Sequence, residues 1–231
     1  MDGCRNLEDY ENDILYHGLR CIVARDADYS SYMGKTHEHP LIVCTLSHSI
    51  ECIMFCPYNV NACLKKFART LDDHVEEIKE SYKEFYNGIK DIIVYDIANN
   101  VFEVGCSICG DSCTRFLCSN TSIKVSTDKR DKFLQSKSIC FSPSQIEEIR
   151  ERVDNDQREL RQIVKGHFQA SFVVNLIKKM TSSITRNDAP SISNEALYAL
   201  LVKCFPECEA DCEERKVIKQ RVKSAISALS A

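Results

Sequence analysis

The residues best equipped for chemistry lie between Cys106 and Cys118, CSICGDSCTRFLC, where four of the fourteen cysteines fall within thirteen positions. A buried cysteine serves as a small hydrophobe and an exposed one invites oxidation, so such density suggests a shared task. Cys106-Ser-Ile-Cys109 followed by Gly110 has the form of a zinc knuckle. In that motif two thiolates two residues apart point at one ion, and the glycine permits the turn. A tetrahedral set needs two more ligands, for which Cys113, Cys118 and Cys140 are the candidates; Cys106, Cys109, Cys113 and Cys118 form the most local choice. Disulfides are a second use for these sulfurs. A redox pair is a third, but such pairs usually open a helix, and here Gly110-Asp111 follows.

A second cysteine- and histidine-bearing region starts at His37, with His39, His48 and His74 following among Cys44, Cys52, Cys56 and Cys63. Leu41 to Leu46 and Ile50 to Phe55 are β-prone runs around Ser47-His48-Ser49 and predict a hairpin. From Asn61 to Phe85 the apolar residues Leu64, Phe67, Leu71, Val75, Ile78, Tyr82 and Phe85 fall three or four apart, which predicts a helix. A hairpin followed by a helix is the layout of many small zinc fingers, with Cys56 and His74 at ligand places.

The stretch CPYNVNACLKKFARTLDDHVEEI, residues 56–78, resembles CHHC-type zinc fingers, a family associated with RNA processing, and also the looser fingers of TRAF and SIAH adaptors. The resemblance implies Zn²⁺ held by Cys56, Cys63 (one residue beyond the family position) and His74. Ile78 stands at the family's last ligand place, so Cys52, Cys44, His39 or His37 would complete the set. The competing reading is a core in which Cys44, Cys52 and Cys63 are buried hydrophobes and the paired histidines sit at the surface.

The elements around these residues complete the expectation. Leu19 to Ala24 predicts a short strand, and residues 91–104 predict two strands turning at Ala98-Asn99-Asn100. Residues 123–137 carry Lys124, Lys129, Arg130, Lys132 and Lys137 against two aspartates, and read as a basic loop able to contact phosphate or as a solvated surface. Ser142-Pro143-Ser144 with Glu147 predicts a capped helix start. The apolar positions Ile146, Ile149, Val153, Leu160, Ile163, Val174 and Ile177 then form a heptad-like seam that Gly166 divides. That seam needs a cover, which is either the chain itself or a second copy. Asn187–Pro190 reads as a linker, Asn194 to Phe205 as a short helix, and Pro206 as the start of a last helix whose acids precede its bases. Cys204, Cys208 and Cys212, four apart, read as a core stripe before a disulfide. Cys4 and Cys21 are isolated and carry no assignment.

Together these features predict an α+β fold: a zinc-stabilised unit of short antiparallel strands at 1–141 and a helical, bundle-like unit at 142–231. The 231 residues suffice for one large domain or two small ones. No apolar run is long enough to cross a membrane, and the polar start MDGCRNLEDYEND lacks a secretory pattern, so an intracellular, thiol-reducing setting is expected. Asn120-Thr121-Ser122 is then a chance sequon. Residues 1–118 hold 11 Lys/Arg against 19 Asp/Glu, and residues 119–231 hold 19 against 15. There is no Gly-rich phosphate loop, no HExxH and no convincing nucleophile–base pair. The expected function is therefore a non-catalytic, zinc-binding protein-interaction or assembly module, joined to a protein partner or to itself through residues 146–177. RNA or DNA binding through Lys124, Lys129, Arg130 and Lys132 is the alternative, and a cysteine-dependent enzyme comes last.

Overall fold

The computed structural model describes residues 3–36, 38–186, 193–205 and 212–230. The expected linker Asn187–Pro190, His37, Pro206 and Cys208 lie outside them, and of Cys4 only the backbone is described. The elements run α1 (Gly3–Tyr16), β1 (Val23–Arg25), α2 (Ser30–Met33), β2 (Ile42–Cys44), α3 (Ile50–Met54), α4 (Pro57–Ala68) and α5 (Val75–Val101). A 3₁₀ turn at Thr114–Phe116 follows, then α6 (Thr127–Ser138), α7 (Pro143–Asp154), α8 (Leu160–Ile163), α9 (Gly166–Thr185), α10 (Asn194–Cys204) and α11 (Glu213–Ser230).

The expected α+β fold with antiparallel strands is overturned. Helices dominate, and among the described residues the one sheet is the parallel pair β1–β2, in register through Val23–Ile42, Ala24–Val43 and Arg25–Cys44. Ile50–Met54 is a helix rather than the second arm of a hairpin. Residues 91–101 are the last three turns of α5, and Ile92, Ile93, Val94 and Ile97 are all buried there. A run of β-branched residues fits an enclosed helix as well as a strand, because burial on several sides removes the periodicity that separates the two. The single helix expected over 61–85 is two: Arg69 takes a left-handed conformation (φ 51°) and ends α4.

The main core forms where α5 packs on α4 and α7, and α4 on α9 and α10. At its centre the rings of Phe85 and Phe172 stack at 3.8 Å. Tyr82 stands beside them and donates to the Phe55 carbonyl at 2.7 Å. One apolar cluster runs from Tyr29 to Cys204 and draws on residues from both sides of position 141. A smaller cluster of Ile14, Val23, Leu41 and Ile42 joins α1 and the strand pair to Ala228 and Leu229 of α11.

The capped helix expected at Ser142 is present, and its capping box pairs Ser142 with Gln145, not Ser144 with Glu147. The seam breaks twice, after Asp154 and after Ile163, before α9 restarts at Gly166. Its Ile146, Ile149, Val153, Ile163, Val174 and Ile177 are buried within the chain, so the chain itself supplies the cover. Gly166 permits the close approach of the loop before α3: a Cβ there would meet Ser49 Oγ at 2.4 Å and Glu51 Cβ at 2.7 Å. Gly88 in α5 admits Val125 in the same way, with 3.0 Å to its side chain.

Candidate functional site

The cysteine stretch leaves α5, turns over its end, and reaches α6 by way of the 3₁₀ turn. Cys109 is buried, and its backbone N–H donates to Asp96 Oδ1 at 2.9 Å. Cys113 is buried on α9, where its N–H donates to the Phe168 carbonyl at 3.0 Å and its Sγ lies 3.1 Å from Ser171 Oγ. Cys118 and Cys140 are exposed, and Cys106 is half-buried. The four sulfurs of the expected knuckle therefore have separate surroundings.

The second expected ligand set is dispersed as well. Cys52 is buried, donates to the Val164 carbonyl at 3.2 Å, and accepts from Gln169 Nε2 at 3.1 Å. Cys56 opens α4 and packs with Ile53 and Cys212. Cys63 is enclosed in the main core. His74 precedes α5, with Nδ1 3.3 Å from Glu77 Oε1 and a buried Nε2 that has no hydrogen-bond partner. Burial pushes the thiols of Cys52 and Cys113 up to about 11 and that of Cys63 to about 12, and it raises that of Cys109 well above its usual value. A thiol held protonated in this way is a poor nucleophile. Among the described residues no three His, Cys, Asp or Glu side chains stand close enough to hold one ion.

The basic segment is a helix, not a loop, and much of its charge is engaged. Lys129 Nζ donates to the Leu117 carbonyl at 2.7 Å, Arg130 Nη1 to the Gly88 carbonyl at 3.0 Å, and Lys132 pairs with Asp128 at 3.0 Å. The Lys124 backbone N–H donates to Ser122 Oγ at 2.9 Å. Arg115, which the charge count did not single out, lies over the rings of Phe116 and Phe133 at 4.6 and 4.5 Å. Lys129, Arg130 and Arg115 thus clamp α6 to α5 and to the cysteine stretch, whereas the Lys132–Asp128 pair lies on the exposed face of α6 itself.

A buried polar hub went unnoticed in the sequence. Asp96, 1% exposed, accepts from Tyr29 Oη at 2.8 Å and from the Cys109 N–H, and pairs with Lys165 Nζ at 3.0 Å. One carboxylate thus joins α2, α5, the cysteine stretch and the start of α9. Its signal was a lone acid inside the apolar run Ile92-Ile93-Val94-Tyr95-Asp96-Ile97-Ala98. His48 stands edge-on to Tyr29 at 4.6 Å, beneath a cleft of about 570 Å³ that Asp28 and Lys165 also line. Among the described residues its Nδ1 has no hydrogen-bond partner, and it lies 3.8 Å from Asp28 Oδ1. Burial, helped by Lys165, lowers His48 to about 4, so the imidazole is neutral at pH 7. The hub is built for cohesion, since each ionised member has its partner inside it.

At the far side, α11 is held by a buried ion pair between Glu214 and Arg161 of α8 at 2.6 Å, and by Arg221 donating to the Cys44 carbonyl at 2.8 Å. Its apolar stripe runs Ile218, Val222, Ala225, Ile226 and Leu229. Ala225 is buried and Leu229 packs on the smaller cluster, but Val222 is 39% and Ile226 53% exposed. Lys219 and Lys223 adjoin that open edge, three residues before Val222 and Ile226 respectively. Among the described residues no helix is long and apolar enough to cross a membrane. No protein-family model matches this chain, and neither the curated proteins nor the solved structures include one similar to it.

Proposed function

We propose that this chain is a non-catalytic docking module, and that α11 is the element it presents to another protein. One observation carries the reading. The apolar stripe of α11 is covered along one edge only, leaving Val222 and Ile226 open beside Lys219 and Lys223. A helix with an open apolar edge and flanking cations suits an apolar groove with an acidic rim, the helix-in-groove mode of recognition. Anchoring by Glu214 and Arg221 fixes the helix before the partner arrives, which lowers the ordering cost of binding. The nucleic-acid alternative has less support, because Lys129 and Arg130 are engaged by backbone carbonyls within the fold.

The test is a photo-crosslinking amino acid at position 222, with a control at exposed Glu76, in cells that make the protein. The expected result is a discrete protein adduct at 222 alone, lost in the Val222→Asp, Ile226→Asp double variant and weakened by salt. Purified chain that binds anionic vesicles or an oligonucleotide through the same residues, or adducts no stronger at 222 than at the control, would overturn the reading.

A further inference from the structure

A cleft of about 280 Å³ opens between the strand pair, the end of α2 and α11. Four cations from four segments line it: Arg25 of β1, Lys35 beyond α2, Arg158 before α8 and Arg221 of α11. Each arginine is held in place by only part of its guanidinium. Arg25 donates through Nη1 to both carboxylate oxygens of buried Glu11, at 3.1 and 2.9 Å. Arg158 donates through Nε to Asp156 at 3.0 Å, and through Nη2 to Asp156 at 2.6 Å and to Ser31 Oγ at 2.9 Å. Arg221 donates through Nη1 to the carbonyl of Cys44 at 2.8 Å, and Cys44 is the partner of Arg25 across the two strands. Among the described residues no acceptor meets Arg25 Nη2, Arg158 Nη1 or Arg221 Nη2, so three tethered guanidinium groups keep unspent donors. The charges are unequal as well. Glu11 offsets Arg25 and Asp156 offsets Arg158, whereas among the described residues Lys35 and Arg221 have no carboxylate partner. Of the two carboxylates in the lining, Glu11 is therefore engaged and Glu38 stands exposed. Four cations against two acids make this cleft positive in a chain of net charge −4.

We propose that this cleft binds the phosphate monoester group of a small hydroxylated molecule, of sugar-phosphate size. A phosphate monoester carries about −1.5 to −2 charge at pH 7, which the two cations lacking a carboxylate partner, Lys35 and Arg221, match. Its oxygens suit the paired N–H groups that a guanidinium offers, and the tethers on Arg25, Arg158 and Arg221 are made before the ligand arrives, which lowers the ordering cost. The hydroxyls of Ser30, Ser31 and Thr36 line the same cleft and can meet the ligand's own hydroxyls, while Ile42 and Leu46 give its carbon skeleton an apolar wall. The volume lies at the small end of the range for ligand pockets, about 300–1,000 Å³. Val222 and Ile226 do not line the cleft, so the inference does not rest on the docking reading.

The experiment is isothermal titration calorimetry of the full chain at low salt, with ribose 5-phosphate as the probe. The expected result is saturable one-to-one binding that rising salt weakens, weaker binding of inorganic phosphate, and none of ribose. Lys35→Gln alters an exposed side chain and should leave the melting temperature unchanged, yet it is expected to raise Kd by about tenfold. Adding Arg221→Gln should raise Kd further, and the single Lys35 variant keeps the test decisive if loss of the Cys44 contact loosens α11. Glu38→Gln removes the unengaged carboxylate and is expected to tighten binding by about twofold. The Val222→Asp, Ile226→Asp variant should bind like the parent, so this proposal and the docking reading can fail separately. No saturable binding at millimolar ribose 5-phosphate, or binding undiminished in Lys35→Gln and in the double variant, would overturn the proposal. So would inorganic phosphate, a phosphoserine peptide or phosphatidylglycerol vesicles bound as tightly as the probe.

Discussion

The helices α9 and α11 are of similar length, 20 and 18 residues, and both carry an apolar stripe, yet the fold treats them oppositely. Along α9 the side chains of Phe168, Phe172, Val173 and Leu176 are all fully enclosed. Along α11 only Glu214 and Ala225 are buried, while Val222 and Ile226 face outward. The difference lies in neighbours. α9 has α3, α4 and α10 against it, whereas α11 leans chiefly on β2 and is pinned by Glu214. An amphipathic pattern states that a cover is required, and only the packing states whether the chain provides it.

Substitutions can break that contrast or sharpen it. Phe172→Ala removes a ring stacked on Phe85 at the centre of the core, and is expected to cost about 3–5 kcal/mol in denaturant unfolding. Acid probes the contact between the segment before α3 and α8, where the backbone N–H of His48 donates to the Gln162 carbonyl. The folded His48 titrates near 4 against 6.5 for the free side chain, so the unfolded chain takes up its proton first. That contribution is whole above about pH 6.5 and declines as the pH falls toward 4, by up to about 3 kcal/mol. His48→Asn should flatten this part of the stability–pH curve. Gly166→Ala places a methyl group against Ser49 and Glu51, and about 1–3 kcal/mol of destabilisation is expected in thermal melts. The pair Val222→Asp with Ile226→Asp should change stability by less than about 0.5 kcal/mol per site, because both side chains already meet water. A loss as large as that of Phe172→Ala would mean that α11 is core and would remove its claim to be a docking element.

The legible part of the sequence was helical. The cap at Ser142, the helix 194–204, and the apolar spacing of α4, α5 and α7 follow from local rules that tertiary structure left intact. The strands were misjudged where β-branched residues cluster. Ile50-Glu-Cys-Ile and Ile92-Ile-Val-Tyr are helical because their neighbours enclose them from several sides, which residue type alone does not encode. The sulfur-rich stretch is harder to read, because Cys109 and Cys113 pack as small apolar groups in the main core where the chain passes over α5 and α9. Of the site residues, Asp96 carried a visible signal as a lone acid in an apolar run. His48 and Lys165 reach it only through contacts between segments far apart in sequence. The edge of α11 was legible as an amphipathic helix but not as an uncovered one.

The hub at Asp96 has a consequence for handling the molecule in pieces. Tyr29 and Cys109 come from before position 141 and Lys165 from after it, so a gene cut there leaves each product missing part of one electrostatic knot. The severed surfaces would be greasy as well as incomplete. Mixed together, such halves are expected to find each other and restore a single melting transition, which suits this protein to a two-part reporter of proximity.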